Sequence, residues 1–120
     1  MTFPKRYRGA RPPEYDKLTF RLLANPTGAL YNTLLMGDAN TSERKQELGS
    51  ALVEAYGGET VEGYGMTFDF STADAAIAMV TSEDIPVDLR AWLRNAPLDI
   101  VAYERDEIAK NFRASLIPGT

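Results

Sequence analysis

The segment TVEGYGMTFDF, residues 60–70, places strands in the middle of a sequence whose other patterns are mainly helical. Residues 60–64 and 66–70 are rich in β-branched and aromatic side chains, and Gly65 lies between them. This pattern predicts a β-hairpin but leaves the register of its two strands open. The side chains expected to face inward are Val61, Met66, Phe68 and Phe70.

A further strand is predicted before the hairpin, over residues 17–24. Apolar Leu18, Phe20 and Leu22 alternate there with polar residues, and a period of two residues is typical of a half-buried strand. Together with the hairpin, this segment predicts a small, mostly antiparallel sheet.

Two helices are predicted between this strand and the hairpin. Asn25 can cap the first, over residues 26–36, because a proline follows it at the first helical position. Asn40 or Thr41 can cap the second, whose apolar residues recur at helical spacing until a Gly-Gly pair ends it.

Three helices are predicted after the hairpin. Ser71 or Thr72 can cap the first, the second covers residues 86–95, and Pro97 begins a long terminal helix. Arg105 interrupts the apolar face of that last helix. The face consists of Leu98, Val101, Ala102, Ile108, Ala109, Phe112 and Leu116.

These patterns predict an α+β fold, in which a small, mostly antiparallel sheet packs against several helices and a long C-terminal helix ends the chain. The 120 residues, 44% apolar and 25% charged, suit one ordinary globular domain. We assign this domain to residues 17–120. Residues 1–16 are expected to form an extended basic arm, because three prolines and a glycine there oppose regular structure.

The arm and the domain differ in charge. The net charge is −4, but four of the 13 Lys and Arg residues lie in the first eleven positions, which leaves nine bases against 17 acids, or −8, beyond them. A basic arm on an acidic body can bind nucleic acid, an acidic protein, or the acidic body of another copy. The predicted partner-binding residues of the arm are Lys5, Arg6, Tyr7, Arg8 and Arg11.

The alternative to a protein partner is nucleic acid, since an aromatic ring among bases is typical of proteins that bind single strands. The arm is short and its body is acidic, which favours a protein neighbour. Trp92 is also a predicted partner-binding residue because tryptophan is enriched at binding hot spots. A core position is the commoner place for such a side chain.

Several kinds of chemistry are excluded by composition. The chain has no histidine and no cysteine, so Ser-His-Asp and Cys-His nucleophiles and zinc sites built from these residues are ruled out. No glycine motif for binding a nucleotide is present. We predict no cofactor and no catalytic or metal-binding residue. No apolar run is long enough to address a membrane.

Carboxylates are the remaining candidates for catalysis. Asp69 with Asp74, and Glu83-Asp84 with Asp88, are the densest sets, and both lie at predicted helix starts. Acidic side chains there are stabilised by free backbone N–H groups, so a capping role is favoured. An enzyme that uses Asp69, Asp74 or Glu83 with a metal is the third interpretation.

The segment DIPVDLRAWL, residues 84–93, followed by a long charged helix, resembles the closing part of some tail assembly chaperones of tailed phages and prophages. The resemblance implies a small, mostly helical protein without cofactors that escorts tape measure and tube proteins during tail building. The basic arm and the first strand are not part of that pattern, which leaves room for a virion component such as a connector or tail protein. We therefore predict a non-enzymatic assembly or structural protein that contacts other copies of itself or other assembly proteins, in the cytoplasm or in a virion.

Overall fold

The computed structural model describes Tyr15, Leu18, residues 20–23 and residues 25–116. Within these residues the chain is α+β, as predicted, with four helices and a two-stranded antiparallel sheet. The elements are α1 (Gly28–Met36), α2 (Ser42–Ala55), β1 (Thr60–Gly63), β2 (Met66–Asp69), α3 (Ala73–Thr81) and α4 (Val87–Leu116). Of the predicted basic arm, residues 1–16, the structure describes only Tyr15, which packs against the core. The separation of the arm from a domain over residues 17–120 stays a prediction.

The hairpin forms where the sequence predicts it, in a register that pairs Val61 with Phe68 and Gly63 with Met66. Tyr64 and Gly65 make the two-residue turn with φ angles of 55° and 74°. Two successive positive φ angles are those of a type I′ turn, whose twist matches that of the strands. Phe68 and Phe70 are fully buried, as expected of inward side chains, while Val61 and Met66 pack against the core partly buried.

The prediction of a strand over residues 17–24 is wrong, because among the described residues of this segment only Phe20 forms a β-bridge. The neighbouring backbone groups bond elsewhere. The N–H of Leu23 donates to the carbonyl of Ala55 at 2.9 Å, and the N–H of Arg21 donates to the Glu59 carboxylate at 3.0 Å. The alternation of side chains still holds, since Leu18, Phe20 and Leu22 are all buried.

The first two helices form where they were predicted, but α1 begins at Gly28 instead of Pro26 and has a different cap. Thr27, not Asn25, caps α1, and its hydroxyl accepts the N–H of Leu30 at 3.2 Å. Thr41 caps α2 in the same way. The Gly-Gly pair that follows α2 has φ angles of 66° and 68° at Gly57 and Gly58, which is the left-handed conformation that ends helices.

The two helices predicted after α3, over residues 86–95 and from Pro97 onward, are one continuous helix, α4. Proline has no N–H, so it leaves the carbonyl four residues earlier, that of Leu93, without its helical donor. The hydroxyl of Tyr56 donates to this carbonyl at 2.6 Å. A tertiary hydrogen bond thus replaces the missing helical one, and both Tyr56 and Pro97 are fully buried.

The core is centred on the ring of Phe20. Four aromatic rings surround it, with centroids 5.2–5.9 Å away. They belong to Tyr56, Phe68, Phe70 and Trp92. Edge-on and tilted contacts at these distances add stabilisation to the burial of apolar area. The core therefore joins α2, the hairpin and α4 through the segment that was predicted to be a strand.

Candidate protein-binding surface

Helix α4 is apolar on the side that faces away from the core as well as on the side that faces it. Its inner face supplies Leu89, Leu93, Ala96 and Ile100, all buried. Val87, Ala91, Leu98, Ala102 and Arg105 fall within about 60° of one another on the opposite side, given 100° per residue, and we call them the outer face. A surface helix normally carries polar residues there.

The outer face is open to solvent. Val87 is 66% exposed, Ala91 and Ala102 are exposed, and Leu98 is half-buried. The described part of the chain leaves Val87, Ala91 and Ala102 uncovered, whereas Leu98 packs against the core with its buried part. Small side chains at Ala91 and Ala102 would let the backbone of another helix approach closely.

The second half of α4 packs little against the rest of the protein. After Val101, every side chain that the structure describes is exposed, and Ile108 is 63% exposed. These side chains are Ala102, Arg105, Asp106, Ile108, Ala109, Lys110 and Asn111. The sequence pattern had placed Ala102, Ile108 and Ala109 on an apolar face, and the structure leaves that face unpacked at these three positions. Phe112 and Leu116 of the predicted face have side chains outside the described set.

A groove of about 460 Å³ runs beside the outer face, between the start of α1 and the second half of α4. Pro26 and Tyr31 form one wall, and Val101, Arg105 and Ile108 form the other. No described carboxylate is among its lining residues, and the first turn of α1 contains no acidic residue. The positive end of that helix and the guanidinium of Arg105 therefore favour a negatively charged occupant.

The opposite end of the outer face is acidic. Glu83, Asp84 and Asp88 are exposed around Val87, in the turn and first helical residues that join α3 to α4. Ile85 is buried and anchors this turn. No side-chain hydrogen bond or ion pair of these three carboxylates occurs within the described part of the chain. We call residues 83–88 the acidic corner.

Among the carboxylates considered for catalysis, Asp69 serves local structure. Asp69 accepts hydrogen bonds from the N–H and hydroxyl of Ser71 and from the hydroxyl of Thr60, which hold the pKa of its carboxyl below the ordinary value. Asp74 and Asp88 lie in the first turns of α3 and α4. Across the residues that the structure describes, no three acidic side chains converge on a site that could hold a metal ion.

A second groove, between the end of α1 and the start of α2, contains an ion pair. Arg44 contacts Asp38 at 2.8 Å. The N–H of Asn40, and then Arg44, lower the pKa of the Asp38 carboxyl. Because Asp38 already has a basic partner within the chain, this carboxylate is less available to a charged group of another molecule than Arg105 in the groove beside α4.

Trp92 lies in the core, 5% exposed, with its ring centroid 5.7 Å from that of Phe20. Its indole N–H has no hydrogen-bond partner among the described atoms. A role for Trp92 in binding a partner stays a prediction. The arm residues Lys5, Arg6, Tyr7, Arg8 and Arg11 lie outside the part of the chain that the structure describes, so their role is also a prediction.

Sequence reasoning missed the outer face and the groove. Helical spacing identified Leu98, Val101, Ala102 and Ile108 as apolar, but it assigned them all to one buried side. The signal that could have revealed a second face is Val87, which lies five whole helical turns, 18 residues, before Arg105.

No helix in the described residues is both long enough and apolar enough to span a membrane. Comparison with protein-family models, curated proteins and solved structures found no match to this chain. The resemblance of residues 84–93 to tail assembly chaperones therefore stays a prediction.

Proposed function

We propose that this chain is a non-enzymatic assembly or structural protein that acts through protein–protein contacts, and that its first partner is another copy of itself. The observation that carries the proposal is the exposed outer face of α4. An apolar stripe on a surface helix, opposite the stripe that forms the core, gains free energy when another protein covers it.

The exposed second half of α4 supports the same proposal. Helix α4 continues for about four turns after Val101, to Leu116, and the side chains that are described there are exposed. Helices of about 15 residues are only marginally stable in water unless they pack against something. A partner on this half would therefore stabilise it as well as bind it.

Tail or virion assembly is the process that the resemblance of residues 84–93 favours, and we include it in the proposal. The basic arm is proposed as a second contact, made by Lys5, Arg6, Tyr7, Arg8 and Arg11 with the acidic body of a neighbour. The charge of +4 in residues 1–11, against −8 in the residues after them, supports this.

Light scattering coupled to size-exclusion chromatography tests the proposal. The intact chain is expected to elute as a multimer, and Ala102→Glu is expected to dissociate it because the substitution places a charge in the apolar stripe. Ala78→Glu is the matched control, since Ala78 is also an exposed alanine in a helix, α3, and lies off the outer face. It should keep the mass of the intact chain.

The same measurement on a chain that lacks residues 1–13 separates the two contacts. Loss of the multimer on truncation would place a required contact in the arm. An intact chain that stays monomeric at concentrations of hundreds of micromolar contradicts self-assembly through either surface.

A further inference from the structure

We propose that two copies pair through the outer faces of α4 in antiparallel orientation, so that Asp88 of each copy lies against Arg105 of the other. This inference rests on the proposed function, because it specifies the contact through which copies meet. It is drawn from the order of charges and small side chains along the outer face.

The charges favour one orientation of the two helices. Each copy has the acidic corner at the start of α4 and Arg105 farther along the same helix. Arg105 follows Asp88 by 17 residues, so the two lie about 26 Å apart along the helix axis. In a parallel pair, acid would lie beside acid and base beside base. In an antiparallel pair each Asp88 meets an Arg105, because a two-fold axis repeats the contact.

The same register places small side chains opposite each other. When Asp88 faces Arg105, Ala91 faces Ala102 and Leu98 faces Asn95, each of them twice. The alanines allow close approach of the two helices, and Leu98 covers the centre. Each of these side chains is exposed or half-buried in a single copy.

The groove beside Arg105 then receives the partner's acidic corner. Its walls are apolar at Tyr31, Val101 and Ile108, which matches the exposed Val87. The described lining of the groove contains no carboxylate, whereas the corner has three. Arg105 has no hydrogen bond or ion pair to another described residue, so it is available to the partner's carboxylates.

Charge reversal at the two matched positions tests the pairing. Asp88→Lys and Arg105→Glu, each alone, place like charges together twice per dimer, and each should raise the dissociation constant of the dimer about tenfold or more. The chain with both substitutions restores opposite charges and should return to within about threefold of the intact chain. A mixture of the two single variants should also dimerise, because each supplies what the other lacks.

Sedimentation equilibrium gives the mass and the dissociation constant for all four proteins, and circular dichroism melting shows that each variant folds. The expected particle has twice the 13.3 kDa chain mass and does not grow at higher concentration. A double variant as weak as the single variants, or particles larger than two chains, would overturn the antiparallel pairing.

The failure of this inference can be told apart from that of the proposed function. If the intact chain forms a multimer that Ala102→Glu dissociates and charge reversal does not rescue, the outer face is a contact but not in this orientation. If the intact chain is monomeric, self-assembly and the antiparallel pairing both fail.

Discussion

At the scale of single residues, Tyr56 is the clearest case of a side chain whose role depends on a distant part of the chain. Its hydroxyl donates to the carbonyl of Leu93, which Pro97 leaves without a helical donor. A buried carbonyl without a partner costs about 1–3 kcal/mol. The hydroxyl therefore compensates for a proline that lies 41 residues away in the sequence.

We expect Tyr56→Phe to lower the free energy of unfolding by about 1–3 kcal/mol, as measured by urea denaturation. The control is Pro97→Ala, which restores an N–H that Leu93 can accept. In the Pro97→Ala variant, Tyr56→Phe should lower the free energy of unfolding by clearly less. Equal costs in both backgrounds would show that the hydroxyl does not substitute for the helical donor.

The same tyrosine predicts a pH dependence. Burial raises the pKa of Tyr56 above the ordinary value of 10.0, so the folded state keeps the proton where the unfolded state releases it. The resulting stability is complete below pH 10 and is lost as the pH rises above it, by up to about 1.4 kcal/mol per pH unit. Urea midpoints measured from pH 8 to beyond pH 10 should fall, and Tyr56→Phe should lessen the slope. The same slope in both proteins would assign the loss to other groups.

At the scale of elements, local signals predicted the structure well wherever the bonds that fix it are local. The hairpin was predicted from Gly65 between two strand-like segments, and α2 from Thr41 and the Gly-Gly pair. Residues 17–24 were not, because their N–H groups bond to Ala55 and Glu59, and alternation of side chains contains no information about those partners. Pro97 failed as a helix boundary for the same reason, since its compensating donor comes from another element.

The hairpin turn gives a prediction at this scale. Gly65→Ala should destabilise the protein by about 1–2 kcal/mol, because Gly65 has a φ of 74° that a Cβ atom disfavours. Gly28→Ala is the matched control, since a Cβ atom there meets nothing within 4 Å and alanine favours a helix. It should stabilise the protein by up to about 1 kcal/mol. Thermal melting of both variants checks this prediction. Melting temperatures that shift in the same direction for both variants would contradict it.

At the scale of the whole molecule, the fold class could be predicted from the sequence but the proposed binding surface could not. The acidic corner was recognised as a cluster of carboxylates, and the structure adds the exposed Val87 among them. The groove could not be predicted, because its walls come from α1 and α4, about 75 residues apart in the sequence. Val87 and Arg105 share a face only because α4 is one continuous helix. The sequence analysis had divided it into two helices at Pro97.

The hydrogen bond from Tyr56 to Leu93 thus has a meaning beyond stability. It lies between Asp88 and Arg105, and it supports the continuous helix that holds these two charges at a fixed separation. In the proposed pairing, a partner must contact both charges at once, so it fits only a copy in which they have that separation. In the proposed pairing, a buried hydroxyl that no partner touches therefore helps to set which copies fit together.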